Sequence, residues 1–124
     1  MHRSLSSSPV RLLSVFAAVV VVASALAGPT LAARAHATAT IKVTATEFKF
    51  TLSPSSVKHG TVTFTVVNKG KVAHDFKIAG KSTPQIQPGK SAKLTVTLKA
   101  GKYPYLCTLP GHAAAGMKGT LVVK

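Results

Sequence analysis

Acidic side chains are nearly missing from this sequence. Glu47 and Asp75 are the only two in 124 residues, against 16 Lys and Arg, for a formal net charge of +14. That scarcity removes chemistry built on several carboxylates: glycosidase acid pairs, calcium cages and two-metal clusters have no ligands to draw on. A single cysteine, Cys107, excludes an internal disulfide. Methionine occurs twice, and one of the two is the initiator. The glycine-rich phosphate motifs of nucleotide enzymes are absent. No segment sustains a 3.6-residue apolar period, and no internal repeat divides the chain. Hydrophobic residues still make up 46% of it, so it is not a disordered polyelectrolyte, and its length holds one domain. Its chemistry must therefore rest on cysteine, histidine, methionine or backbone groups.

The first residues differ in character from the rest. His2, Arg3 and Arg11 form a positive leader, Leu12 to Leu26 is a run of apolar and small residues, and Ala25-Leu26-Ala27 is a small-x-small cleavage pattern. Residues 1–27 read as a secretory signal peptide, with later cleavage candidates as far as Ala37. The alternative is an uncleaved anchor over residues 12–27, but the run is shorter than the roughly 20 residues a spanning helix prefers. Residues 28–40 read as a flexible segment ahead of a domain over 41–124. Both readings place the domain outside the cytoplasm, in the periplasm or extracellular space, and cleavage leaves it soluble. A lone thiol in an oxidising compartment calls for an explanation, and a metal supplies one.

From Ile41 onward the apolar period is two. Ile41, Val43 and Ala45 alternate with polar residues, and the phase then slips so that Phe48, Phe50 and Leu52 take over, as a bulge near Thr46-Glu47 would produce. Val62, Phe64 and Val66 alternate next, ended by Asn68-Lys69-Gly70, and Phe76 and Ile78 follow. Residues 82–90 read as loop. Leu94, Val96 and Leu98 alternate again, Tyr103, Tyr105 and Cys107 share a face, and Leu121 and Val123 close a last strand beginning near Thr120. Short strands with turn signals between them predict an all-β protein, a β-sandwich or barrel.

One stretch concentrates the chemistry. Cys107, His112 and Met117 stand in the spacing Cys-x4-His-x4-Met, with Pro110-Gly111 to turn the loop back, and His74 lies upstream after another turn. Taken singly, a strand cysteine is a small core residue, and a lone histidine or methionine is packing or surface. Together on one inter-strand loop these scarce residues point to a metal. Thiolate, two imidazoles and a weak thioether are the blue-copper set, whereas structural zinc favours four Cys/His ligands and haem attachment needs Cys-x-x-Cys-His. A Cys/His hydrolase dyad lacks a helix N-terminus to activate the thiol. His2 and His36 belong to the leader region, and His59 reads as part of a solvated turn.

Over residues 41–124 the sequence resembles the cupredoxins, the small blue copper proteins. Gly101-Lys102-Tyr103-Pro104-Tyr105-Leu106-Cys107 is similar to the plastocyanin approach to its cysteine, and Cys107 through Gly119, with Pro-Gly-His and Gly-Met-x-Gly, is most similar to the rusticyanin-like loop. The resemblance implies a Greek-key β-sandwich with one type 1 copper at one end. It implies His74, Cys107 and His112 as equatorial ligands and Met117 as the axial one. Asp75 stands where many members carry Asn; its carboxylate is expected to accept a bond from Thr108 and to favour Cu(II). Ala73 stands where azurin has Gly.

The expected function is electron transfer by Cu(II)/Cu(I) cycling, not enzymatic catalysis. Leu109, Pro110, Ala113, Ala114 and Ala115 around His112 suggest an apolar exit face for a small, transient contact. The expected partner is a redox protein, such as a cytochrome or a copper or haem oxidoreductase, acidic at its docking face; the domain itself is expected to be a monomer. The lysines alternate along strands as solvated faces, with peripheral attraction to an anionic membrane surface and no nucleic-acid binding expected. The competing reading is an envelope copper chaperone, scavenger or resistance protein without electron shuttling. A third is a sandwich that has lost its metal, and the full ligand set argues against it.

Overall fold

β-branched and aromatic residues at every second position give each strand one face to bury, and two such sheets bury them against each other. The computed structural model describes residues 38–124, together with Ser14 and Ala18; the leader and its cleavage sites lie outside the described residues. The strands are β1 (Ala39–Thr46), β2 (Lys49–Ser53), β3 (Ser56–Val57), β4 (Gly60–Asn68), β5 (Lys77–Ile78), β6 (Lys81–Ser82), β7 (Ser91–Leu98), β8 (Gly101–Leu106) and β9 (Lys118–Val123). One sheet has the order β2-β1-β4-β7 and the other β3-β9-β8-β5-β6. β1 and β4 run parallel, as do β3 and β9, and the remaining pairs are antiparallel. No helix long and apolar enough to cross a membrane occurs among the described residues.

The core is built from the predicted inward faces. Ile41, Val43, Ala45, Val62, Phe64 and Val66 come from the first sheet and Ile78, Leu121 and Val123 from the second, all buried. Phe76 joins them, packed edge-on against Phe50 at 5.2 Å and tilted against Tyr105 at 5.5 Å.

Several expectations need correction. β1 begins at Ala39, because Ala39 and Thr40 pair with Val62 and Thr63, so the last two residues of the expected flexible segment belong to the sheet. The phase slip near Thr46-Glu47 is a hairpin turn and not a bulge: Thr46 pairs with Lys49, leaving Glu47 and Phe48 as the turn. Phe48 consequently leaves the apolar face, with φ at 58° and 44% exposure. The loop over 82–90 is not featureless, since Ser82 ends β6 and Ile86 bridges back to His74. The last strand starts at Lys118.

Asn68 organises the end of the sandwich that carries His74. It is fully buried, and its Nδ2 donates to the carbonyls of Val72 and Ile86, both at 2.8 Å. Its Oδ1 accepts from Gly70 N–H at 2.8 Å. Replacing Asn68 with Ala leaves the buried Ile86 carbonyl and the part-buried Val72 and Gly70 groups without this partner, and the expected loss is about 2–3 kcal/mol. Urea denaturation checks this: the midpoint should fall with the slope unchanged.

Candidate metal centre

Three segments at one end of the sandwich supply the candidate ligands. Cys107 follows β8 directly, and the chain then turns through residues 108–117 before β9 begins. Overlapping turns fill that loop: His112 N–H donates to Leu109 O at 3.2 Å, Ala115 N–H to Gly111 O at 3.0 Å, and Met117 N–H to His112 O at 3.0 Å. Gly111 and Gly116 adopt φ values of 79° and 112°, which a side chain resists. Cys107 N–H donates to Met117 O at 3.1 Å, closing the loop at its base. His74 arrives from the turn after β4. Its N–H and C=O exchange bonds with Ile86 at 3.1 and 2.7 Å, which makes the long loop after β6 a strap over it.

The donor atoms converge. One ligand atom each from His74, Cys107 and His112 lies within 4.8 Å of the others. His74 Nδ1 is 3.2 Å from His112 Nδ1, and Cys107 Sγ is 3.5 Å from His112 Nδ1. An ion about 2.0 Å from imidazole nitrogen and about 2.3 Å from sulfur would subtend roughly 105–110° across those two edges. The residues therefore fit a bound metal. Met117 is fully buried at the base of the same loop. Two imidazoles, a thiol and a thioether form the donor set of a type 1 copper site, soft enough for Cu(I) and nitrogen-rich enough for Cu(II).

The residues around the ligands divide into holders and a rim. Asp75, 7% exposed, accepts Thr108 N–H on Oδ1 at 2.6 Å and the Thr108 hydroxyl on Oδ2. This tie joins the segment that bears His74 to the one that bears Cys107. His112 is half-buried; Ala114, Ala115 and Pro110 beside it are exposed, and Leu109 and Ala113 are partly buried. His59 is exposed, its Nδ1 3.0 Å from Lys124 O, and takes no part.

Sequence reasoning missed three contributors. Phe48 sets its ring edge-on to His112 at 5.2 Å. Glu47 accepts the N–H groups of Lys71 and Val72 and lies 3.6 Å from His74 Nε2. Gly70 lies where a Cβ would fall on the Glu47 carboxylate. One signal for Glu47 was available, since it is half of the chain's acid content.

Burial, and then the neighbouring His112, hold the His74 imidazole below its ordinary value of 6.5. Burial pushes the Cys107 thiol up, partly offset by the backbone of Asp75 and Leu109. Hydrogen bonding to Lys71 N–H leads the causes that lower Glu47. Metal uptake must displace the thiol proton, so affinity rises with pH.

The His74 shift also sets a pH dependence of folding. Unfolded His74 takes its proton near 6.5, while the folded ring resists it until lower pH. The unfolded state therefore binds more protons below about 6.5, and stability falls as pH drops. Urea midpoints of metal-free protein should decline from pH 7 to 5, and His74→Gln should flatten the decline; equal slopes in both proteins would contradict this origin.

Three curated proteins are similar to parts of this sequence. Rusticyanin from Acidithiobacillus ferrooxidans is 37% identical over 83 residues, covering 51% of this chain and 53% of rusticyanin. Auracyanin-B from Chloroflexus aurantiacus is 50% identical over 42 residues, 33% of this chain and 18% of that protein. The copper-resistant cuproprotein CopI from Pseudomonas aeruginosa is 50% identical over 40 residues, 32% of this chain and 22% of CopI. The matches thus span between 18% and 53% of the length of these curated relatives. Among solved structures, auracyanin B is similar with a TM-score of 0.63 at 25% identity, covering 72% of this chain and 90% of that one. Rusticyanin is similar at 0.59 and 26%, covering 70% and 77%. The family model of the cupredoxin-like domain runs over residues 14–123, nearly the whole sequence, and by that match this chain belongs to the cupredoxin-like family.

Proposed function

We propose that this protein is an exported type 1 blue copper electron carrier that exchanges electrons through the edge of His112. The observation that carries the reading is the convergence of one donor atom each from His74, Cys107 and His112 within 4.8 Å of one another, with Met117 buried on the loop that bears Cys107 and His112. His74, Cys107, His112 and Met117 are the residues that would hold the copper. The similarity to rusticyanin and auracyanin supports electron transfer over catalysis, and the leader-like residues 1–27 support export to the periplasm or beyond.

Bound copper supplies one-electron chemistry between Cu(II) and Cu(I). The protein's part is to hold the ligands still and to present one of them. His74, Cys107 and Met117 are all buried, which keeps water from these side chains. The Asp75–Thr108 tie and the Cys107–Met117 bond hold the ligand loops in one arrangement, so little must move when the charge changes. Asp75 also places a negative group beside the site, which favours the oxidised ion. His112 alone among the three clustered ligands reaches the surface, and the small groups of Ala113, Ala114 and Ala115 let a partner's cofactor come close. A high positive charge steers that partner, which we take to be a redox protein acidic at its docking face.

The match to a copper-resistant cuproprotein favours a second reading, copper binding in the cell envelope without shuttling. A visible spectrum separates the two. Loaded with Cu(II), the purified domain should show an intense thiolate-to-copper band that bleaches with ascorbate, returns on oxidation and is lost in Cys107→Ser. Bound copper without colour, or uptake of Cu(I) alone, would favour the second reading. The exit route has its own test. Ala114→Glu should slow electron exchange with redox partners about tenfold or more while leaving the band in place, and unchanged rates would place the exit elsewhere.

A further inference from the structure

Glu47 occupies an unusual place for one of only two acids in a strongly basic chain. It sits in the turn between β1 and β2, yet its carboxylate reaches the segment before His74. Oε1 accepts the N–H groups of Lys71 and of Val72, the latter at 3.2 Å, and lies 3.6 Å from His74 Nε2. That nitrogen is buried and has no hydrogen-bond partner. Nδ1 of the same ring faces His112 and Cys107, on the side where the metal fits. A neutral imidazole that gives Nδ1 to a metal carries its proton on Nε2, and a buried N–H without an acceptor is costly.

Gly70 supplies an independent observation. A Cβ at that position would overlap Glu47 Oε1 and come within 3.0 Å of His74 Nε2. The missing side chain is what leaves room for the carboxylate beside the ring. Gly70 is itself held by its N–H bond to Asn68 Oδ1 at 2.8 Å. The turn, the glycine and the histidine thus form one built contact.

We propose that Glu47 is a positioning residue for His74: its carboxylate is the acceptor that the buried Nε2–H faces, which fixes Nδ1 as the metal-binding nitrogen. The two backbone N–H groups that donate to the same oxygen tie the His74 segment to the β1–β2 turn. The role rests on the copper reading given above and follows the general rule that a ligating histidine directs its other N–H to a fixed acceptor.

Nitrogen-15 NMR of the diamagnetic Cu(I) protein reads the contact directly. In the wild type the His74 Nε2–H should resonate downfield, as an N–H facing a carboxylate does. Glu47→Ala and Gly70→Ala should move it upfield, and Glu47→Gln, which keeps an acceptor oxygen, should retain most of the shift. Cu(I) affinity, measured against a competing chelator, should fall about 10–100-fold in Glu47→Ala and recover in Glu47→Gln. A clamp that only pins the loop would leave the Nε2–H shift untouched in Glu47→Ala, and that result overturns the proposal. Should Glu47→Ala fail to fold, Gly70→Ala carries the same comparison. Copper binding with a His74 Nε2–H shift that is the same in wild type, Glu47→Ala and Gly70→Ala refutes the role of Glu47 alone; a wild type that binds no copper refutes the copper reading and this role with it.

Discussion

The register between β5 and β8 is the constraint on which the site depends. Lys77 pairs with Leu106 and Ile78 with Tyr105. Continued past the strand ends, the same register sets Asp75 opposite Thr108, where two hydrogen bonds join them, and brings His74 to the level of the Cys107 loop. A slip of one residue would turn Asp75 away from Thr108 and every core side chain of the short strand toward solvent. β5 has only two residues, so ladder bonds alone hold it weakly. Phe76 and Ile78 in the core, and the two bonds between Phe76 and Thr83, fix it instead. The metal site is thus registered by hydrophobic packing one turn below it, and the polar ties make the registration exact only at the ligands.

The second constraint is charge. Lysines occupy exposed strand positions, such as Lys42, Lys49 and Lys93, and none of them needs a carboxylate partner there because water screens them. The two carboxylates are spent at one end of the molecule. Asp75 joins the His74 and Cys107 segments, and Glu47 joins the His74 segment to the β1–β2 turn. Glu47 accepts two backbone N–H groups and Asp75 one, donors in irregular segments outside the strand ladders. A carboxylate suits this task because one group accepts several bonds, and charge-assisted bonds to backbone N–H are stronger than neutral ones.

Much of this was legible in the sequence. The strand cores followed from the period of two, and the Cys-x4-His-x4-Met spacing with His74 upstream marked the ligands, because chemistry-bearing residues are too scarce here to cluster idly. The Asp75–Thr108 tie followed from the resemblance to known sites. The β1–β2 hairpin did not, because Phe48 reads as another apolar strand residue and nothing local tells a two-residue turn from a bulge. Its exposure is decided by tertiary placement, edge-on to His112. Asn68 read only as a strand end, and Gly70 only as a turn residue, because their partners at Ile86, Glu47 and His74 are distant in sequence. Side-chain bonds between remote loops leave no periodic signal.

The surface at the metal end combines two properties that usually conflict. Phe48 and Val72 are each 44% exposed, and exposed Pro110, Ala114 and Ala115 lie near His112, so the rim is apolar and uncovered. Such a rim invites self-association in a neutral protein. Here every copy carries the same large positive charge, +14 over the whole sequence, and two copies approaching rim to rim meet mutual repulsion over about a Debye length, roughly 8–10 Å in physiological salt. A molecule of opposite charge would meet attraction over the same distance. Charge of one sign therefore opposes rim-to-rim approach of two copies, and over the same distance it would attract a partner of opposite sign.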